Sequence, residues 1–162
     1  MILGHSLLIK YIRERKLIEN AEEKSVEGSG VDIRAKTFYR LRTQAEFLKE
    51  SRKLPEISEV GEEVLVLKPG EYVLVETIEK VNMPEDLSAL MNNRSSLFRC
   101  GCSLRTAVID PGYAGTLTFG LKNDSEHEVK IEKGSRIGQI QFFRVEENSK
   151  LYQGKYQGGK VV

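Results

Sequence analysis

Beyond Gly61 the chain breaks into short apolar and β-branched runs separated by turn-forming pairs, and this spacing constrains the fold more than any other feature. The runs are Val64–Leu67, Tyr72–Val75, Leu104–Ile109, Leu117–Phe119, Val129–Ile131 and Ile137–Phe143. Between them lie Pro69-Gly70, Pro111-Gly112, Asn123-Asp124 and Lys133-Gly134. Such runs are too short for stable helices and long enough to pair, while Pro and Gly at their ends set backbone angles that reverse the chain. The expected architecture is therefore mainly β, an antiparallel sandwich or barrel.

Ahead of this region, Leu7, Leu8, Tyr11 and Ile12 recur at helical spacing. Ser6 is placed to cap the start, and Arg15 and Lys16 suit the negative end of the helix dipole. This predicts one short amphipathic helix. Residues Ala45–Lys49 permit a second helical turn before a polar connection containing Pro55.

A length of 162 residues leaves room for one domain. No apolar run approaches the ~20 residues needed to cross a bilayer, so no membrane partner is expected. Lys and Arg total 25 against 24 Asp and Glu, a net charge of +1. That balance supplies no global field for a polymeric nucleic acid, so an anionic ligand must be met by a local site. The basic residues of the first segment follow its apolar stretch, and no small-residue cleavage pattern appears, which points to a cytoplasmic protein. Cys100 and Cys102 are one residue apart, too close for an ordinary loop-closing disulfide, and read as two reduced thiols in or beside a strand. The segment from Tyr152 to Lys160 is rich in glycine and poor in aliphatic side chains. Residues 1–150 are accordingly expected to form one β domain and 151–162 a mobile C-terminal arm.

Four segments hold residues suited to chemistry. Asn93-Arg94-Ser95-Ser96-Leu97 sets a guanidinium beside two hydroxyls, an arrangement suited to phosphate oxygens. In Ala107–Gly115, Thr106, Val108 and Asp110 share one face if the strand alternates, which brings Asp110 to a strand end before the Pro111-Gly112 turn and near Tyr113. An Asp bonded to its own turn backbone is the plainer reading of that position. Gly134–Gln139 leads from a turn into a strand with Arg136 and Gln139 as polar candidates. Gly28–Arg34 allows close backbone approach ahead of Asp32.

In this order and at these separations the four segments resemble the dUTPase and dCTP deaminase superfamily over nearly the whole chain. Gly30-Val31-Asp32-Ile33 is similar to its first motif, Arg94–Leu97 to the second, Val108–Gly115 to the third and Gly134–Gln139 to the fourth. The opening Met1-Ile2-Leu3 and Asp110-Pro111-Gly112-Tyr113 are more similar to the deaminase branch and its archaeal relatives. The resemblance implies a jelly-roll, β-clip-like barrel that assembles as a homotrimer, with intersubunit active sites closed by the C-terminal arm.

It also implies roles. Asp110 matches the aspartate that activates water for attack at the α-phosphorus of dUTP. Arg94, Ser95, Ser96, Arg99 and Gln139 match phosphate-binding positions. Tyr113 matches a tyrosine that packs on deoxyribose, and Leu104, Thr106 and Ala107 lie where backbone groups read uracil. Lys155 and Tyr156 fall in an arm that resembles the deaminase-branch Lys-Tyr-Gln-Gly-Gln, with Gly159 in place of the last Gln. Mg²⁺ is expected on the substrate triphosphate, with Asp32 reaching it only through water.

One position divides the reactions of this superfamily. Deaminases carry a proton-shuttling Glu on the strand after the third motif, and an ungapped alignment from Ile109 to Asn123 puts Gly120 there. General acid–base assistance is worth roughly 10²- to 10⁴-fold, and glycine supplies none. The expected activity is hydrolysis of dUTP to dUMP and pyrophosphate. The alternatives are a dCTP deaminase or bifunctional enzyme in which another carboxylate such as Glu126 serves, and a non-catalytic nucleotide-binding jelly roll.

Overall fold

The computed structural model describes residues 1–147 and 149–162. Helix α1 (His5–Arg15) is followed by β1 (Ile18–Glu19), a single 3₁₀ turn and β2 (Val31–Leu41). A projecting segment carries β3 (Glu46–Phe47), β4 (Arg52–Lys53) and β5 (Ile57–Glu59). Then come β6 (Val64–Leu67), β7 (Tyr72–Asn82), β8 (Leu87–Asn93), α2 (Ser95–Arg99), β9 (Cys102–Arg105), β10 (Ala114–Asn123), β11 (Val129–Glu132) and β12 (Arg136–Arg144). The main sheet runs β8-β12-β2-β7-β10-β9, with β1 added to β7 and β5 to β2; β6 pairs with β11 apart from it. All pairings are antiparallel, and the sheet curls into a nearly closed barrel as expected.

Period-two alternation builds the core. On β7, Val73, Val75 and Val81 point inward, and on β10 Leu117, Phe119 and Leu121 do the same. They meet Phe38 from β2, Leu87 and Ala89 from β8, and Ile140 and Phe142 from β12. Each fully buried aliphatic or aromatic side chain contributes ~1.5–3 kcal/mol. The inward face also takes one charge: Glu79 is wholly buried and is held by the Nε of Arg34 at 2.7 Å and by the Arg34 backbone N–H at 2.8 Å. The opposite face of β7 and β10 stays half-exposed, with Tyr72, Leu74, Glu76, Thr116 and Thr118. That face matters for the site.

Three local expectations are corrected. Helix α1 begins two residues earlier, with Gly4 as its N-cap and no side-chain cap bond. The bonds Leu3 N–H to Phe142 O (2.9 Å) and His5 N–H to Gly28 O (3.0 Å) fix the entry, so Ser6 is left inside the first turn. Ala45–Lys49 is no helix: Glu46–Phe47 pairs with Arg52–Lys53 in a small hairpin closed by Leu48 N–H to Ser51 O at 2.8 Å. An isolated turn of helix there would carry its nucleation cost with no buried face to offset it, since residues 41–53 are exposed. The run Leu104–Ile109 leaves the sheet after Arg105. Only Ile109 re-pairs, with Ala89, and Val108 is 58% exposed, so the alternation does not carry through to Asp110.

Candidate active site

Two clusters gather the functional candidates. The first is centred on Asp32, which faces Gln139 across the β2–β12 ladder. Its side chain is 1% exposed, and its Oδ2 lies 3.1 Å from Arg136 Nη1 and 3.2 Å from Arg94 Nη2, while Gln139 Nε2 reaches Oδ1 at 3.5 Å. The sequence folds this way because Arg94 closes β8 beside β12, where its N–H meets Ile137 O at 3.3 Å. Gly30 leaves the room: a Cβ there would stand 2.8 Å from Cγ of Gln139. One carboxylate shared by two guanidiniums leaves a net positive charge with N–H donors still free. Its arrangement is set before any ligand arrives, which suits an anion.

Arg94 is also the N-cap of α2, placing Ser95 and Ser96, both exposed, in its first turn, with Arg99 exposed at its end. Asp32 Oδ2 is engaged by two guanidiniums and Oδ1 faces the Gln139 amide, so this donor set does not fit a directly ligated metal ion. Among the described residues no group of three His, Cys, Asp or Glu side chains gathers elsewhere to hold one.

The second cluster surrounds the turn Asp110–Tyr113. Met83 stitches it to the barrel from both sides, accepting from Gly112 N–H at 3.0 Å and donating to Tyr113 O at 2.8 Å. Ile109 and Ala89 exchange both backbone bonds at 2.9 Å. Glycine is required at 112, whose φ is +81°. The turn thus holds Asp110 rigidly while leaving its carboxylate exposed at the rim of a 340 Å³ cleft. Tyr113, 8% exposed, donates its hydroxyl to Thr116 O and meets the ring of Tyr152 edge-on, with centroids 5.4 Å apart. Burial first, then the nearby Tyr152 and Glu76, push its phenol up to about 12, so it is a neutral surface at any ordinary pH.

The C-terminal segment lies on this turn. Tyr152 N–H bonds Pro111 O at 2.8 Å, and Gly158 N–H bonds Ala114 O at 2.9 Å. Gln157 brackets Tyr113, its Nε2 donating to Gly112 O at 3.0 Å and its Oε1 accepting from Ala114 N–H at 3.1 Å. At Gly159, φ is +87° and a Cβ would stand 2.9 Å from Thr116 N, so a glutamine would not fit the arm in this position. Tyr156 and Lys160 line the cleft, and Lys155 lies over the Tyr156 ring at 4.8 Å.

Of the expected site residues, Asp110, Tyr113, Ala107 and Tyr156 share the cleft. Arg94, Ser95, Ser96, Arg99, Gln139, Leu104, Thr106 and Lys155 do not line it. The Leu104 N–H is already bonded to Asn93 Oδ1 at 2.7 Å, and the Thr106 hydroxyl to Met91 O at 3.1 Å.

The expectations missed Tyr72 and Thr118 in the cleft wall. Gly120 pairs with Leu74, and the Tyr72 ring leans diagonally over it: its hydroxyl oxygen and two ring carbons lie within 2.6 Å of where a Cβ at 120 would stand. A larger side chain at 120 would need the space that this ring fills.

Residues 2–145 match the family model described as dCTP deaminase-like. The chain belongs to that family. The probable deoxyuridine 5'-triphosphate nucleotidohydrolase of Methanothermobacter thermautotrophicus is 34% identical over 157 residues, covering 97% of this chain and 99% of that protein. The dCTP deaminase of Pyrococcus horikoshii is 37% identical over 148 residues, covering 91% and 88%. Both activities thus occur among relatives of similar identity. The dCTP deaminase structure from Agrobacterium tumefaciens superposes with a TM-score of 0.70 at 20% identity, over 89% of this chain; the chain spans about half, 48%, of that longer one. A mutant dUTPase from phage phi11 of S. aureus, described for a structural Mg(II) ion, superposes at 0.55 with 18% identity, over 85% and 90%. These superpositions support the family's fold.

Proposed function

We infer that the protein hydrolyses dUTP to dUMP and pyrophosphate. Gly120 under the Tyr72 ring carries this reading: the family's position for a proton-shuttling glutamate holds no titratable group, and the space is filled. The exposed Asp110 carboxylate beside it has what hydrolysis needs. It takes a proton from water as the water oxygen bonds the α-phosphorus; the bond from that phosphorus to the bridging oxygen breaks, and pyrophosphate leaves. Phosphoryl transfer asks little covalent work of a protein, so positioning and charge neutralisation supply most of the rate.

Tyr113, neutral and buried, offers a ring to the deoxyribose and leaves little room for a 2′-hydroxyl. Arg94, Ser95, Ser96, Arg99 and Gln139 bind phosphates. Mg²⁺ enters with the substrate, on the triphosphate oxygens.

Within one chain the Asp32–Arg94–Arg136 cluster does not line the Asp110 cleft. A homotrimer in which one subunit's arginines face a neighbour's Asp110 completes the site, with residues 151–162 as the arm over the Tyr113 turn.

The deciding experiment incubates the purified protein with dUTP and with dCTP, measuring pyrophosphate and ammonia. Pyrophosphate from dUTP with no ammonia from dCTP is the expected result. Ammonia release would return the protein to the deaminases and overturn the argument from Gly120, and neither product would leave a nucleotide-binding protein without catalysis.

A further inference from the structure

The half-exposed face of β7 and β10 forms the floor of the cleft, and two hydroxyls there bond no other described residue. Among the described residues Thr118 Oγ1 is buried without a partner, and the Tyr72 hydroxyl, on a side chain 38% exposed over Gly120, bonds no other residue. Elsewhere on this face the polar groups are matched: Thr116 Oγ1 donates to Glu76 at 3.0 Å and Tyr39 donates to the same carboxylate at 3.1 Å. Buried polar groups are ordinarily satisfied, so the Thr118 hydroxyl marks a place where a ligand supplies the partner, and the solvent-open Tyr72 hydroxyl beside it has its donor free to turn to the same ligand. Leu74, Ile109 and the Tyr113 ring add apolar surface suited to the faces of a flat ring, while Asp110 and Lys160 supply charge in the same cleft.

We propose that Tyr72 is the specificity-determining residue of this cleft, donating its hydroxyl proton to the 4-oxo group of a bound uracil and so favouring a 4-oxo over a 4-amino pyrimidine. The inference rests on the reading of the cleft as a pyrimidine site. Burial holds the Tyr72 phenol above its usual range, with Arg105 pulling the other way, so the group remains a neutral O–H donor. A phenol donates more strongly than it accepts. The nearby Arg105 guanidinium, which offers donors only, adds a field that favours a carbonyl oxygen and opposes an amino group turned toward it. Gly120 makes the placement possible, because only a residue without a side chain lets the ring lie on β10.

The plainer role, a ring that simply covers a strand glycine, makes a different prediction. Tyr72→Phe keeps the ring and its packing and removes only the hydroxyl. Binding of the non-hydrolysable α,β-imido analogues of dUTP and dCTP is measured by calorimetry for both proteins, with melting temperature and wild-type dUTP turnover recorded alongside. The uracil-to-cytosine affinity ratio is expected to fall about fivefold to tenfold in Tyr72→Phe, through weaker uracil binding, with the melting temperature unchanged. Gly120→Ala, which drives the ring from its place while keeping the hydroxyl, is expected to lower the same ratio. If wild type turns over dUTP and Tyr72→Phe keeps its ratio, this assignment falls and the dUTPase reading stands. If wild type binds neither analogue, or prefers the cytosine one, the reading of the cleft falls and takes the assignment with it.

Discussion

Arg136 Nη1 lies 3.1 Å from Oδ2 of the buried Asp32, and Arg94 Nη2 approaches the same oxygen at 3.2 Å. Two guanidiniums are therefore held side by side by one carboxylate. Their mutual repulsion is what that carboxylate neutralises.

Asp32→Asn should destabilise the fold by about 2 kcal/mol, below the ~3–5 kcal/mol typical of breaking a buried pair because both arginines are partly exposed and can turn toward water. The residual repulsion between exposed cations is screened by salt. Urea denaturation of both proteins at low and at molar NaCl tests this: the deficit of the variant should shrink at high salt, and a deficit indifferent to salt would assign Asp32 a packing role instead.

Asp110→Asn should lower kcat for dUTP on the order of 10²-fold or more, with KM within a few-fold of wild type. The carboxylate is exposed on a turn held by backbone bonds to Met83 and Ala89 and by the C-terminal segment, none of which uses the Asp110 side chain, so its loss should leave the fold unchanged. Turnover within a few-fold of wild type would exclude Asp110 as the base.

The runs beyond Gly61 and the four motif segments were readable because short-range signals carry them: alternation marks an inward face, and Pro-Gly or Lys-Gly marks a reversal. Strands β2 and β8 were not, and β7 was read only as far as Val75. Arg34, Lys36 and Arg40 break the apolar pattern of β2, as Glu76, Glu79 and Lys80 break that of β7, yet Glu79 is wholly buried against Arg34. A buried ion pair between strands cannot be told from two solvated charges until the pairing is known. The same limit hid Tyr72. It stands 48 residues before Gly120 in the chain, and only the β7–β10 register, with Leu74 opposite Gly120, puts its ring in the cleft. Asp110, Tyr113, Arg94 and Gln139 stood in motifs and could be named in advance; that Arg94 and Gln139 lie apart from Asp110 within one chain is a property of the folded barrel.

Gly159→Ala should release the C-terminal segment without harming the barrel. A Cβ at 159 would stand 2.9 Å from Thr116 N, and the residue's φ of +87° is strained for alanine. Limited trypsin digestion reads the effect directly, since Lys155 and Lys160 sit in the segment. Cleavage there should accelerate severalfold while the melting temperature stays constant, and dUTP turnover should fall if the arm closes the site. Equal cleavage rates would mean that the close fit of Gly159 against Thr116 does not govern its docking.

Tyr113 ties stability to pH at the alkaline end. Its phenol is raised from 10.0 to about 12 in the folded protein, chiefly by burial, so folding favours the protonated form. Between these values the unfolded chain has lost the proton and the native one keeps it. The contribution is fully present below pH 10 and is lost as pH rises toward 12; two units correspond to about 2–3 kcal/mol. Tyr113→Phe removes this titration together with the hydroxyl's bond to Thr116 O, which costs about 1 kcal/mol at neutral pH. Wild type should therefore be the more stable protein at pH 8, and its advantage should shrink steadily from pH 10 to 11.5 as it alone loses the tyrosine contribution. The raised phenol of Tyr72 acts in the same direction but is present in both proteins and cancels in the difference. Urea midpoints for the pair at pH 8, 10, 11 and 11.5 measure it, and a gap that stays constant across that range would show that Tyr113 ionises as freely in the folded state as in the unfolded chain.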